Sequence, residues 1–150
     1  MGRRLARWRE MDWRDRRRLL GCVAGLWPLH ASLAVLGYAR TRRLVERLSM
    51  HPSPQPASEA DLADARALAR LAASAGLHSL GEAACLRRAL LLYGWLRRRG
   101  LRPVLQLGVP AHADGPFRAH AWVELEGAPL LTSDAGYLPF ARASAQPDQA

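Results

Sequence analysis

Cys85 and His120 are the two side chains whose types and spacing could together carry out covalent chemistry. A cysteine is a strong nucleophile only as the thiolate, and a helix N-terminus or a neighbouring imidazolium lowers the pKa of the thiol. Cys85 stands near the start of a predicted helix, and His120 comes 35 residues later (120 − 85), the length of one helix, one strand and their connections. The pair therefore predicts a thiolate nucleophile with an imidazole as its general base.

A third residue is needed to orient the imidazole through its other ring nitrogen, as a carboxylate or amide does in catalytic triads. Asp134, which follows the third predicted strand, is the predicted acid, and Glu126 in a predicted turn is the alternative. Trp122 shares a strand face with His120, so it either shields the bond between imidazole and acid, lines a substrate groove, or covers the sheet as an aromatic lid. The predicted catalytic residues are Cys85, His120 and Asp134.

A purely structural role for these side chains is the alternative. A free cysteine in an apolar helix is more often a small packing residue than a nucleophile, and composition and periodicity alone leave catalysis the less common outcome. Cys22 has no neighbour that favours reactivity and is assigned to packing. The sequence contains neither a Cys-x-x-Cys nor a His-x-x-x-His spacing, and Cys85 with His120 supplies only two ligands, so no metal or cofactor is predicted.

The elements that must position these residues lie in the second half of the chain. A helix over residues 58–75 is predicted from the cap at its first residue, the acidic residues of its first turn and the glycine that follows it. A second helix, residues 79–99, carries Cys85 and apolar residues at helical spacing. Three short strands then predict an antiparallel meander, at residues 104–109, 117–125 and 130–131.

These elements predict an α+β fold in which N-terminal helices precede a cysteine-bearing helix packed on a small antiparallel sheet. Alternation along the second strand puts His120, Trp122 and Glu124 on one face and apolar residues on the other, which is the predicted core face. We expect the cysteine-bearing helix to pack on the His120 face, because this arrangement brings thiol and imidazole together.

Proline and charge patterns divide the chain into four predicted segments. Residues 1–50 form a helical segment for docking or packing, and residues 51–58, with alternating prolines, form a linker. Residues 59–140 form the catalytic core. Residues 141–150, rich in alanine and polar residues, form a disordered tail.

The N-terminal segment contains an uncharged stretch, Leu19 to Ala39, between two arginine clusters, and its length calls for comparison with a membrane span. Pro28, His30 and three glycines make it a poor span, and arginines on both sides give no orientation signal. We expect two short helices broken near Trp27-Pro28 and packed on the domain or on a partner, with membrane association as the alternative. The arginines then either dock a partner or form a solvated basic face.

Composition limits the classes of function. A chain of 150 residues with 49% hydrophobic residues forms one folded domain. The formal net charge of +9 comes from arginine alone, and such a surface could meet acidic lipid, an acidic peptide or nucleic acid. Nucleic acid is not expected, because no recognisable module or interleaved surface aromatics occur. Two cysteines in different settings do not form a disulfide framework, so we expect reduced thiols in the cytoplasm.

Four motifs follow one another between residues 79 and 135. They are Cys85-Leu86-Arg87-Arg88-Ala89-Leu90, then Leu96-Arg97-Arg98-Arg99-Gly100-Leu101, then Leu107-Gly108-Val109, then Phe117-Arg118-Ala119-His120-Ala121-Trp122-Val123-Glu124 with Gly127. In this order they resemble the peptidase domain of lasso-peptide biosynthesis, a family related to transglutaminase-like and papain-like cysteine enzymes. The ordered combination is much more specific than any one of the motifs.

The resemblance implies a cysteine protease that cleaves the leader from a ribosomally made lasso precursor peptide. Cys85 and His120 fall on the family's motif, and Asp134 fits as the acid if residues 132–134 continue the third strand. The chain looks like the stand-alone peptidase half, which implies a separate leader-recognition protein and the lasso cyclase as partners. The alternatives are a transglutaminase-like acyltransferase that uses the same Cys–His pair and a non-catalytic basic scaffold.

Overall fold

Three helices precede a four-stranded antiparallel sheet in the computed structural model, which describes residues 12–76, 84–110, 119–131 and 136–140. The helices are α1 (Trp13–Leu48), α2 (Glu59–Gly76) and α3 (Ala84–Arg98), and the strands are β1 (Val104–Pro110), β2 (His120–Leu125), β3 (Ala128–Pro129) and β4 (Tyr137–Pro139). The predicted α+β class is confirmed.

Helix α2 begins where Ser58 and Asp61 satisfy each other's backbone groups. The Ser58 hydroxyl accepts a hydrogen bond from the Asp61 N–H at 3.2 Å, and Asp61 Oδ2 accepts one from the Ser58 N–H at 3.0 Å. This reciprocal capping fixes the first turn, and the two acidic residues there complement the helix dipole. The helix predicted from residue 58 is confirmed.

Helix α3 carries Cys85 and ends in two arginines, Arg97 and Arg98, whose positive charges interact favourably with the negative end of the helix dipole. The predicted helix over residues 79–99 is confirmed from residue 84 onward. Residues 77–83, where its start was predicted, lie outside the described residues.

Helix α1 passes through Pro28 and is interrupted at Gly37, where φ is 72° and ψ is 175°. The predicted break near Trp27-Pro28 is therefore wrong. Burial of Cys22 before the proline and partial burial of Leu29 after it hold the helix against the core on both sides, which offsets the backbone hydrogen bond that proline removes. Gly37 adopts its positive φ without penalty because it has no Cβ.

The strands are arranged in the order β3-β2-β1-β4. In the central antiparallel pair, Leu105 of β1 lies opposite Val123 of β2, and Gly108 lies opposite His120. These two strands confirm the predicted strands over residues 104–109 and 117–125, the second from residue 120 onward. Residues 111–118 lie outside the described part of the chain.

The outer strands differ from the prediction. A third strand was expected at residues 130–131, but β3 is Ala128–Pro129 and pairs with the end of β2. Proline is accepted there because β3 is an edge strand, where one missing N–H donor costs no ladder bond. The strand β4 was not predicted, and it pairs with β1 on the other edge.

Helix α3 packs on the apolar face of β2, so the expectation that it would lie on the His120 face is wrong. Val123 and Leu125 share one buried cluster with Leu90 and Leu96 of α3. Burying a side chain of this size contributes about 1.5–3 kcal/mol, so apolar residues decide which face the helix covers.

The three helices and the sheet share this core, since Cys22 of α1 and Leu68 of α2 belong to the same cluster as Leu90. Residues 51–58 connect α1 to α2 along the surface, where the Gln55 N–H donates to the Gly100 carbonyl at 2.7 Å. The segment boundaries proposed from the sequence stay predictions. The tail over residues 141–150 lies outside the described residues.

Candidate active site

Cys85 is the second residue of α3 and is half-buried against the core cluster. The pKa of its thiol lies below the ordinary value, chiefly because a hydrogen bond joins it to the His120 side chain. The backbone N–H groups of Ala121 and Leu86 lower the pKa further, and partial burial opposes them. The first turn of a helix also favours negative charge. The structure thus places the two predicted reactive groups in contact and shifts the thiol toward the thiolate.

His120 is the first residue of β2, and its ring meets Cys85 at this end of the strand. The contact forms even though α3 packs on the opposite face, because the sulfur lies beside the backbone where the strand begins. The imidazole stacks on Tyr137 with ring centroids 4.2 Å apart and on Trp122 with centroids 6.0 Å apart. These aromatic contacts restrict the orientation of the imidazole.

Gly108 permits the crowding on this side of the sheet. It lies on β1 between His120 of β2 and Pro139 of β4. A Cβ at this position would stand 1.9 Å from the carbonyl oxygen of Leu138 and 2.8 Å from the indole of Trp122. Only glycine allows the last strand and the indole to approach each other here, so Gly108 helps to hold the aromatic side chains around the imidazole.

A groove open to solvent lies beside Cys85 between α2, α3 and β2. Arg88, one helical turn after Cys85, contributes a guanidinium that forms no ion pair with any described residue. The other side chains are mostly small and apolar, and they include Ala69, Ala72, Ala73, Ala89 and Ala121. The surface next to the sulfur is therefore mostly apolar and without bulky side chains, apart from Trp122 and the leucines at its margin.

Trp122 is buried, and its indole N–H donates to Glu124 Oε1 at 3.0 Å. The amide of Gln106 donates to the other oxygen of this carboxylate at 3.1 Å. Two of the three roles considered for Trp122 fit this position, since the ring both lines the groove and covers the sheet. A shielding role depends on the position of the triad acid and stays a prediction.

Asp134 lies outside the described residues, so its role as the acid stays a prediction. The strand that was to carry it, β3, ends at Pro129. Glu126 follows β2 at the end opposite His120, about 20 Å away for six extended residues. Its carboxylate instead accepts a hydrogen bond from the Ala57 N–H at 2.8 Å. Glu126 is therefore out of reach of the imidazole.

Cys22 differs from Cys85 in every respect that matters for reactivity. It is 1% exposed in the core, and burial raises the pKa of its thiol to about 11. The assignment of Cys22 to packing is confirmed.

Tyr137 and Arg88 belong to the site but were not predicted from the sequence. The run Tyr137-Leu138-Pro139 is short and ends in a proline, which strands accept mainly at the edge of a sheet, so its sequence gives little indication of a strand. Arg88 follows Cys85 by three residues, and this spacing places both on one side of a helix, so helical periodicity alone could have identified it.

Residues 29–145 match the family profile described as the Transglutaminase-like superfamily. Comparisons with curated proteins and with solved structures gave no significant match. The matched region contains the Cys85–His120 pair, the groove and the whole sheet. The chain therefore belongs to the transglutaminase-like superfamily, whose members are generally cysteine-dependent enzymes and include both cysteine proteases and acyltransferases.

Proposed function

We propose that this protein is a cysteine protease that cleaves the leader from a ribosomally synthesised lasso precursor peptide. The observation that carries the proposal is the hydrogen-bonded pair of Cys85 and His120 beside an apolar groove. A thiol with a lowered pKa, an imidazole in contact with it and space for a peptide chain are the requirements of this chemistry.

In the first half of the reaction, His120 takes the proton of the Cys85 thiol and the thiolate attacks the carbonyl carbon of the leader–core amide. The carbonyl oxygen becomes an oxyanion, and the backbone N–H of Cys85 in the first turn of α3 is its proposed donor. The C–N bond then breaks, and the imidazolium gives its proton to the leaving amine of the core. The leader remains attached to Cys85 as a thioester.

In the second half, His120 takes a proton from water and the hydroxide attacks the thioester carbon. The C–S bond breaks, and the leader leaves with a new carboxyl group while the thiolate regains its hydrogen bond with the imidazole. Asp134 is proposed to hold the second ring nitrogen during both halves. Stacking on Tyr137 restricts the same ring from its face.

The motifs between residues 79 and 135 support the choice of substrate, because their order resembles the lasso leader peptidases. The same resemblance supports a separate leader-recognition protein and the lasso cyclase as partners in the cytoplasm. A peptide substrate also agrees with the alanine-rich groove, since small side chains leave room for a backbone to lie close to the sulfur.

An acyltransferase is the second candidate, because the superfamily includes enzymes of that class. It would form the same thioester and pass the acyl group to an amine instead of to water. The two reactions share every step up to the thioester and differ only in the acceptor.

The test is mass spectrometry of a precursor peptide incubated with this protein, with and without the leader-recognition protein. We expect two fragments whose masses sum to the precursor plus one water. A cross-linked product would support the acyltransferase instead and would contradict the proposed protease.

The variants Cys85→Ala and His120→Ala should each lower cleavage by at least about a thousandfold, as loss of a triad member does in comparable enzymes. Asp134→Ala tests the acid. Cys22→Ala is the matched control, because it also removes a thiol but lies in the core, away from the groove. Cleavage that survives in both the Cys85 and His120 variants would refute the mechanism and favour a non-catalytic scaffold.

A further inference from the structure

Helix α1 is apolar on two opposite sides. One side belongs to the protein core, where Cys22 and Leu26 are buried. The other side carries Leu20, Trp27 and Val35, whose side chains are 54%, 72% and 80% exposed. Apolar side chains of this size on a soluble surface call for an explanation when they are contiguous.

Five of the exposed apolar residues of α1 form one stripe, which we call the outer face and define as Trp13, Leu20, Val23, Trp27 and Val35. Their spacings of three, four, seven and eight residues place them on the same side of a helix. Cys22 and Leu26 lie about 160° and about 120° around the helix from the centre of the stripe, at about 100° per residue. The outer face therefore points away from the domain along three turns or more.

By length and composition, α1 is long and apolar enough to span a membrane. The inner side nevertheless ties the helix to the rest of the domain. Arg18 forms an ion pair with Asp64 of α2 at 2.7 Å, and Arg87 of α3 is hydrogen-bonded to His30 at 3.1 Å. A helix that keeps these contacts has only its other side available to a membrane and cannot cross one.

Basic residues flank the outer face at both ends. Arg14 and Arg17 lie in and just after the first turn of α1, and Arg40 and Arg43 come after the outer face in the chain, beyond the interruption at Gly37. All four are exposed and none forms an ion pair with a described residue. An apolar stripe with flanking arginines is complementary to a phospholipid surface, which offers acyl chains beneath anionic headgroups.

The aromatic residues of the outer face agree with the same surface. Trp13 and Trp27 are both more than half exposed, and tryptophan is favoured at the level of lipid headgroups. An acidic peptide would account for the arginines but leave these indoles in water. A second copy of this chain would cover the apolar stripe but bring its arginines against those of the first.

We propose that the outer face of α1 binds an anionic phospholipid membrane, with the helix lying parallel to the surface. The catalytic groove then remains in water. The reason is that α3 contacts α1 through Leu91 and Trp95, whereas Cys85 and Ala89 lie on another side of α3 and line the groove. This proposal does not depend on the reaction catalysed.

The test is co-sedimentation of the full chain with vesicles of phosphatidylglycerol and phosphatidylcholine in equal parts, compared with vesicles of phosphatidylcholine alone. We expect binding to the mixed vesicles that weakens as salt is added. The paired change Trp27→Gln and Val35→Gln should lower the partition coefficient at least about tenfold, because both side chains lose their apolar contact with lipid. Val104→Gln is the matched control, since Val104 is half exposed on β1, away from α1.

The charge contribution is tested by Arg40→Gln with Arg43→Gln, which should lower binding to the mixed vesicles by about fivefold for each arginine. Arg66→Gln with Arg70→Gln removes the same charge from the exposed side of α2 and should have a smaller effect. Rates of Cys85 alkylation report the fold of every variant. Absence of binding to mixed vesicles would overturn the proposal. So would a lipid-independent dimer that the Trp27 and Val35 changes abolish, because the face would then belong to a second copy.

Discussion

The reactivity of Cys85 relative to Cys22 offers a direct measure of the proposed active site. Both thiols are free, so a single alkylating reagent can report on both in one sample. We expect iodoacetamide at pH 7 to modify Cys85 and to leave Cys22 unmodified in the folded protein. Peptide mass spectrometry at successive times gives the two rates separately.

The expected ratio of the alkylation rates of Cys85 and Cys22 follows from the opposite shifts of their pKa values. At pH 7 a thiol with a pKa of about 11, as burial gives Cys22, is ionised in about one molecule in ten thousand. The pKa of Cys85 lies below 9.0, so its thiolate fraction exceeds about one in a hundred, at least a hundredfold more. A less basic thiolate reacts more slowly, with a Brønsted coefficient of about 0.4–0.5, so a pKa lower by two units reduces the rate per thiolate about tenfold. The net ratio is therefore at least about tenfold, and burial of Cys22 increases it.

The variant His120→Gln tests the cause of the lowered pKa of Cys85, because it removes the imidazole but keeps a polar side chain. Loss of the hydrogen bond from His120 should raise the pKa of Cys85, because that bond is the main cause of its lowering. The alkylation rate at neutral pH should fall, and the rates of the two proteins should converge above the ordinary pKa of a thiol. His51→Gln is the matched control, since His51 is exposed on the segment between α1 and α2.

Two results would refute this reasoning. Equal rates for Cys85 and Cys22 in the folded protein would show that neither burial nor the imidazole sets thiol reactivity. An unchanged pH profile after His120→Gln would show that the imidazole does not set the pKa of Cys85. The comparison needs no substrate, so it remains decisive whichever reaction the protein catalyses.

Two further predictions concern the structure around the site. Gly108→Ala should destabilise the fold by about 1–3 kcal/mol and lower the melting temperature by several degrees, because its Cβ would strike the Leu138 carbonyl. Gly136→Ala is the control, since its Cβ would meet no atom of the described residues within 4 Å, and equal melting temperatures for the two variants would contradict the account. Burial would raise the pKa of Asp64, but hydrogen bonds from Arg18 and Arg99 bring it below its ordinary value. The Asp64 carboxylate contributes at most about 1 kcal/mol to the free energy of unfolding, because its ion pairs are partly exposed. This contribution is present above pH ~4 and is lost as pH falls through the lowered pKa. The free energy of unfolding of Asp64→Asn, measured in urea, should therefore be lower than that of the wild type at neutral pH and equal to it in acid. A difference that persists in acid would contradict this role of the Asp64 carboxylate.

The sequence patterns predicted those parts of the fold that depend on local interactions. The capped helix from residue 58 and the cysteine-bearing helix were predictable because apolar periodicity and terminal charges act within a few turns. The contact between Cys85 and His120 was also predicted, although α3 packs on the face of β2 opposite to the predicted one. The two side chains still meet because His120 is the first residue of β2, where the sulfur of Cys85 lies beside the backbone of the strand.

Features that depend on neighbours distant in the chain could not be predicted. The course of α1 through Pro28 depends on its packing against α2 and α3, and local preference placed the break at the proline instead of at Gly37. The strand β4 is three residues long, contains a proline and is defined only by pairing with β1. Its Tyr137 could therefore not be placed on the imidazole from the sequence.

The source of the lowered thiol pKa has a consequence for the newly made chain. Cys85 belongs to a helix, which can form from local contacts within about a microsecond, but its hydrogen-bond partners His120 and Ala121 lie on β2. That strand is held by antiparallel pairing with β1, and such a pair of strands forms in about 1–10 microseconds, more slowly than a helix. We expect the thiol to keep ordinary reactivity until the sheet closes. The full reactivity of Cys85 therefore depends on the sheet, and we expect a chain in which β2 has not yet paired with β1 to lack it.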